Sequence, residues 1–309
     1  MNTELLKYAL VVANTGSITH AAEKLYMAQP NLSKAIKELE KILGYEVFER
    51  SSKGMYPTKQ GKAFLIYAKS ILNQVDKALE IGDEKAKNIQ SFNVSIPRGS
   101  YIAQGFTKFA NTLDQNRGIR LNLQETNSVQ TISNVADGEF HLGIIRYQMA
   151  HENYFKDYLK NKNLVSEDIW EFQLQVIMSI QHPLATKESI QYKQLTSYLE
   201  IVHGDNSVPY LMKEQVEEDK NIKKKISVYE RYNQFDLLES IQTSYMWASP
   251  IPDNILQRHN LVQRSCDEIH HIHKDVLIYE KGYKMSTLDQ QFIEIIANEQ
   301  KMVALKKFK

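Results

Sequence analysis

Thr19-His-Ala-Ala-Glu-Lys-Leu-Tyr-Met-Ala-Gln-Pro-Asn-Leu-Ser-Lys-Ala-Ile-Lys-Glu-Leu-Glu40 is the stretch on which the fold turns. It reads as two helices with a tight break between them. Ala21, Ala22 and Leu25 share one face of the first, and Ser17 or Thr19 supplies an N-capping oxygen. Leu32, Ile36, Leu39 and Leu43 recur at spacings of four, three and four, the mark of a helix with one buried stripe. Gln29, Asn31, Ser33, Lys34 and Lys37 are left facing outward. Pro30 falls in the first turn, where its missing N–H costs nothing. The small Ala21-Ala22 pair lets the helices cross closely, as a helix-turn-helix requires. Amides at the start of such a helix suit adenine edges, and Lys and Ser suit phosphates. A helical hairpin with an ordinary polar face has the same pattern, so these residues alone leave both readings open.

Working outward, Leu5, Leu6, Ala9, Leu10, Val12 and Ala13 form the stripe of an earlier helix that Asn14-Thr15-Gly16 ends. After the pair, Leu43-Gly44 is a helix stop with glycine past the end. Tyr45 to Arg50 reads as a short strand and Ser51 to Pro57 as a turn, giving a β-hairpin that carries Arg50 and Lys53.

Gly16-Ser17, Ala21-Ala22, Leu25, Gln29-Pro30, Leu32-Ser33, Ile36, Leu39-Glu40, Leu43-Gly44, Phe48, Arg50, Thr58 and Gly61 follow one another at fixed spacings. In this the chain resembles the N-terminal domain of LysR-type transcriptional regulators. The resemblance implies a winged helix-turn-helix over 1–58 whose second helix enters the major groove of double-stranded operator DNA. It implies DNA contacts from Thr19, His20, Gln29, Pro30, Asn31, Ser33, Lys34, Lys37, Arg50 and Lys53. Three residues depart from the family pattern: Ala9 replaces an aromatic residue, Ala28 replaces a serine, and Lys34 replaces an arginine. Loss of the capping hydroxyl at residue 28 costs about 1 kcal/mol of helix stability, and Lys34 trades a planar fork for a point charge.

From Thr58 to about Asn88 a long helical segment carries Phe64, Ala68, Ile71, Val75 and Ala78 as a heptad seam, with Leu65, Leu72 and Leu79 as a flanking row. Such a seam fits a partner helix or the helix's own domain. The resemblance favours a dimerising linker helix and hinge over 59–90, in a homodimer or a tetramer built of dimers. Two heads related by a two-fold axis then read an inverted repeat.

From Phe92 onward, strands alternate with helices in the rhythm of a parallel α/β sheet. Strands are expected at 92–96, 120–124, 142–147, 172–179, 201–203, 225–229, 245–248 and 268–279. Helices are expected at 102–113, 129–137, 210–217, 233–243 and 287–300. Asp137-Gly138, Leu142-Gly-Ile-Ile145, His182-Pro-Leu-Ala185 and Pro250 again resemble the LysR-type regulators. The resemblance implies a two-subdomain, periplasmic-binding-protein-like effector domain over 91–309, subdomain I being 91–165 with 267–309 and subdomain II 166–266. The whole is an α+β multidomain chain. Thr243, Ser244 and Tyr245 stand where the family tends to place glycines.

In open α/β sheets ligands bind beyond the carboxyl ends of strands, where helix N-termini offer unpaired N–H groups. Three loops fit: Pro97 to Tyr101 with Arg98, Ser100 and Tyr101; Thr126, Asn127 and Ser128; and Gly204 to Ser207 with Gly204 and Asn206. Arg146 lies at a crossover and joins them. Hydroxyls and amides at helix N-termini favour a small anionic effector, although each loop is also readable as ordinary capping.

The 309 residues hold 42% hydrophobic and 24% charged residues, which is ordinary for a globular protein of two or three domains. Residues 1–90 carry 13 Lys and Arg against 10 Asp and Glu, a mild basic bias that suits nucleic acid. No apolar run approaches the roughly 20 residues of a membrane span, and no leader pattern opens the chain, so a cytoplasmic protein without a membrane partner is expected. Cys266 is alone, which excludes an internal disulfide. It stands near His270, His271 and His273 without a recognisable metal-ligand spacing. No nucleophile elbow, phosphate-binding loop or metal-binding helix motif appears, so neither catalysis nor a cofactor is expected. The leading reading is an effector-controlled transcriptional regulator, with RNA polymerase as a further partner. The alternative is a constitutive architectural DNA-binding protein whose C-terminal region serves only oligomerisation.

Overall fold

The computed structural model describes residues 2–51, 54–80, 88–204, 224–229, 234–266 and 272–304. Two compact units divide the chain, one of Met1–Ile89 with Asp137–Glu139 and one of Gln90–Ala136 with Phe140–Lys309.

In the first unit, α1 (Thr3–Thr15) ends at Gly16, whose left-handed backbone (φ 62°) closes the helix. Ser17 caps α2 (Ile18–Lys24) by accepting from the His20 N–H. The next helix, α3 (Gln29–Leu43), buries Leu32, Ile36 and Leu39 and stops at Gly44. Each of these side chains contributes roughly 1.5–3 kcal/mol on full burial, which fixes α3 against α1 and α2. The wing pairs β1 (Phe48–Ser51) with β2 (Gly54–Pro57) antiparallel. Two polar groups hold it. Glu40 accepts from the N–H groups of Val47 and Phe48 at 2.9 and 3.1 Å. Thr58 donates to the Glu46 carbonyl and accepts from the Gly61 N–H. Gly61 is compelled, since a Cβ there would lie 1.9 Å from the Val47 oxygen.

The long helix α4 (Lys59–Glu80) carries the seam residues expected from sequence. Phe64, Ala68 and Leu72 are buried in the core that α1 provides. Ile66, Tyr67 and Ile71 remain exposed instead. Along the seam Phe64 and Ala68 are thus buried and Ile71 is exposed, because the first turns of α4 close the helix-turn-helix core. Residues 81–87 of the expected hinge lie outside those described.

In the second unit, two mixed sheets stand where a parallel rhythm was expected. The first has the order β4 (Gly118–Glu125), β3 (Ile89–Ile96), β5 (Leu142–Gln148), β13 (Ile272–Glu280), β6 (Leu164–Gln173). β3 and β5 are parallel, whereas β13 runs antiparallel to both β5 and β6. Helices α5 (Ser100–Asn111), α6 (Ser128–Ala136), α7 (Glu152–Asn161) and α11 (Thr287–Ala304) belong to this half. Gly143 admits α6 onto β5, since a Cβ there would meet Thr131 at 2.7 Å.

The second sheet has the order β10 (Lys225–Val228), β9 (Leu199–His203), β11 (Ser244–Ala248), β7 (Gln175–Ser179), β12 (Leu261–Cys266), β8 (Ser189–Ile190). Its helices are α8 (Tyr192–Leu195), α9 (Gln234–Ser240) and α10 (Asp253–Arg258). The single strand expected over 172–179 is two strands in different sheets, parted at Leu174, and the boundary expected at 165 falls inside β6. α7, β12 and β6 before Phe172 appear where no element was expected. β6 is an edge strand with few buried residues and carries no strong period, whereas α7 buries Phe155 and Leu159 one turn apart, a helical signal that the sequence reading passed over. The helix expected at 210–217 lies outside the described residues.

Candidate functional site

On α3 the outward face holds what the spacing predicts. Pro30, Asn31, Lys34 and Lys37 are exposed, as are Thr19 and His20 on α2, while Gln29 and Ser33 are half-buried. Ala28 is the N-cap and makes no side-chain capping bond. His20 lies 3.2 Å from Glu23, an i,i+3 contact on the exposed side of α2. Arg50 belongs to β1, and Lys53 lies outside the described residues. Sequence reasoning passed over Tyr26. It is 98% exposed beside the start of α3 and holds a left-handed backbone (φ 52°), which nothing in its residue type announces.

In the second unit a cavity of about 300 Å³ is lined from both sheets. Of the residues expected at an effector site, Arg98, Ser100, Thr126, Asn127, Ser128 and Arg146 line it. The N-termini of α5 and α6 both arrive there. Gly99, the N-cap of α5, gives no side-chain cap, whereas Asn127 caps α6 by accepting from the Gln130 N–H at 2.9 Å. Ser128 is spent on β5, donating to the Arg146 carbonyl and accepting from the Arg146 N–H.

Three expected residues are placed otherwise. Tyr101 is wholly buried, does not line the cavity, and donates its hydroxyl to Asp275 at 2.6 Å. Gly204 does not line it either; a Cβ there would meet the Tyr229 ring at 2.7 Å, so its role is to leave that ring room. Asn206 lies outside the described residues.

Arg146 departs most from expectation. Its strand partner on β13 is Asp275, which is fully buried. Nε and Nη2 donate to the two carboxylate oxygens at 2.7 and 2.6 Å, and Nη1 donates to Ser249 at 3.0 Å and to the Arg98 carbonyl at 3.3 Å. The guanidinium also sits 4.8 Å from the centre of the Phe172 ring. Burial works against its charge, but the Asp275 carboxylate outweighs that and holds its pKa above the usual arginine value. Burial first, and then Asp275, push the Tyr101 hydroxyl well up, so it stays a donor. Because Ser249 follows β11, Arg146 also ties the two sheets together. Arg98 does the same with an Nη2 bond to the Tyr229 carbonyl at 2.8 Å.

The sequence reading missed the apolar wall of Leu174, Phe235, Met246 and Trp247, and three histidines, His151, His203 and His273. It also missed Gln234, which is only 5% exposed and whose Oε1 has no hydrogen-bond partner among the described residues. The lone available signal was a charge, Asp275, standing directly before the apolar run Val276 to Ile278; a buried charge must be paired. Cys266 is buried at the end of β12, paired there with Ile190 of β8, while His273 stacks on Phe172; His270 and His271 lie outside the described residues.

The family model for the bacterial regulatory helix-turn-helix protein of the lysR family matches residues 3–62, and that for the LysR substrate binding domain matches residues 109–301. The chain belongs to the LysR family of bacterial regulators. A probable RuBisCO transcriptional regulator of Cyanophora paradoxa is 28% identical over 196 residues, 62% of this chain and 57% of that relative. The chain thus spans little more than half the length of that LysR relative. The regulator AlsR of Bacillus subtilis is 22% identical over 298 residues, 96% of this chain and 95% of its own. Among solved structures, full-length CbnR complexed with its target DNA has a TM-score of 0.63 at 16% identity, covering 97% of this chain and 100% of that one. That likeness shows the LysR fold of the full-length regulators. No helix among the described residues is long and apolar enough to cross a membrane.

Proposed function

We propose that this LysR-family chain binds double-stranded operator DNA as a homodimer or a tetramer of such dimers, and that a small carboxylate in the cavity of the second unit biases its DNA-bound arrangement. The observation that carries the first half is the division of α3. Leu32, Ile36 and Leu39 are buried, which leaves Asn31, Lys34 and Lys37 exposed. CbnR, whose fold this chain shares, is seen with its target DNA. The exposed Tyr67 and Ile71 on α4 support self-association through the linker at 59–90. A cavity with two helix N-termini at one wall supports effector control over a purely architectural role for the C-terminal region. The protein then acts in the cytoplasm, with RNA polymerase as its downstream partner.

The DNA half is tested by anisotropy titrations on operator and random duplexes. Lys37→Ala weakens binding to both and lowers the slope of log affinity against log salt by about one. Gln29→Ala and Asn31→Ala relax preference at particular base pairs, each at about 1–3 kcal/mol of discrimination. Equal losses on operator and random DNA for all three variants would overturn the assignment of the reading face.

A further inference from the structure

We infer that Asp236, Glu239 and His259 form a site for a divalent cation of the zinc type, where α9 meets the end of α10. The site uses neither the DNA-reading face nor the reading of the cavity.

α9 places Asp236 and Glu239 three positions apart, hence on one helical face. His259 follows α10 directly as its C-cap. Leu238 of α9 and Leu256 of α10 are buried in one apolar core, which fixes the spacing of the two elements. One ligand atom from each of the three side chains, a carboxylate oxygen from each acid and an imidazole nitrogen, thus lies within 4.8 Å of the others.

The arrangement differs from a plain ion pair. His259 Nδ1 stands 3.8 Å from Asp236 Oδ1, outside hydrogen-bond range, so there is room between them. Zinc holds oxygen and nitrogen ligands at about 2.0–2.2 Å, which sets neighbouring ligand atoms about 3.4 Å apart in a tetrahedron. The Asp236 side chain is 64% exposed and has the freedom to swing in and close the set. The other two ligands are held from behind. Asn260 donates its Nδ2 hydrogen to Glu239 Oε1 at 2.7 Å, and Phe235 packs on the His259 ring with 5.2 Å between ring centres. Outer contacts of this kind orient metal ligands. The imidazole selects the ion. Ca²⁺ and Mg²⁺ take oxygen ligands, whereas one nitrogen with two carboxylates suits zinc and leaves a fourth position for water.

Calorimetric titration of the full chain, free of any affinity tag, with ZnCl₂ and with CaCl₂ tests this. The wild-type protein binds Zn²⁺ more tightly than Ca²⁺ by about tenfold or more. His259→Gln and Glu239→Gln remove that zinc-binding step, and Asn260→Ala weakens it about tenfold. Asp236→Asn changes an exposed side chain, so it keeps the fold and serves if either of the first two variants fails to fold; it too loses the step. The outcome is overturned by a wild-type protein that takes up no Zn²⁺, or that takes up Ca²⁺ as tightly. It is equally overturned if folded His259→Gln or Asp236→Asn binds Zn²⁺ as the wild type does, since the ion would then sit on other residues.

Discussion

At residue 28 the second helix of the pair begins on an alanine, so the N-cap position makes no side-chain capping bond. Ala28→Ser restores a capping hydroxyl and stabilises the first unit by about 1 kcal/mol, read as a higher melting temperature. The same hydroxyl is a phosphate donor, so operator affinity rises with it. An unchanged melt would show the N-terminus of α3 to be satisfied in another way. His182 allows a second prediction at this scale. Its Nδ1 accepts from the Leu184 N–H, and Nε2 is buried without a partner among the described residues. Burial pushes its pKa down from 6.5 to about 4. Between those values the unfolded chain holds the extra proton, so stability is complete above pH 6.5 and falls as the pH drops through the window. The loss is at most about 1.4 kcal/mol per pH unit. His182→Asn, which keeps an acceptor for Leu184, flattens that fall in urea melts; an unchanged slope would assign it to other groups. Residue-scale reading from sequence succeeded where period decides, as at Leu32, Ile36 and Leu39. It failed where a partner is far along the chain: Arg146 and Asp275 are 129 positions apart, and only the antiparallel register of β5 and β13 brings them together.

Among the elements, α4 is the one whose two faces have different tasks. Phe64, Ala68 and Leu72 close the core with α1, while Tyr67, at 70% exposure, and Ile71 are exposed beside that stripe. Replacing Tyr67 and Ile71 together by Glu removes the self-association surface and leaves the core intact. Sedimentation then reports monomers, and affinity for a two-half-site operator falls to that of a single half-site, with little change in melting. Phe64→Ala instead costs about 3–5 kcal/mol. A double Glu variant that remains dimeric would place the interface elsewhere. The heptad spacing made the existence of α4 legible but not the division of its faces, because a helix that packs on its own domain and one that meets a partner share the same period. The edge strand β6 was illegible for the opposite reason: with one neighbour, β13, and few buried residues, it keeps polar side chains at positions a central strand would fill with apolar ones.

In the whole molecule, the proposed function couples a DNA-reading unit to a ligand cavity thermodynamically. A ligand shifts operator affinity only by its differential affinity for the two arrangements, and DNA must shift ligand affinity by the same factor. The two-unit plan was readable because each half carries its own pattern, a 3.6-residue period through Leu43 and an alternation of strands and helices from Phe92. The cavity chemistry was readable only in part. Loops at helix N-termini announced Ser100 and Thr126, but the apolar wall comes from strands whose inward residues look like any core.

The most direct test measures operator affinity by anisotropy with and without the carboxylate that raises the melting temperature most, in the wild-type protein and in Thr126→Ala. The account predicts a change in wild-type operator affinity of about 5- to 150-fold, absent in Thr126→Ala, with ligand-free DNA binding equal in both. An identical response in the two proteins, or none in the wild type despite a raised melting temperature, would contradict it.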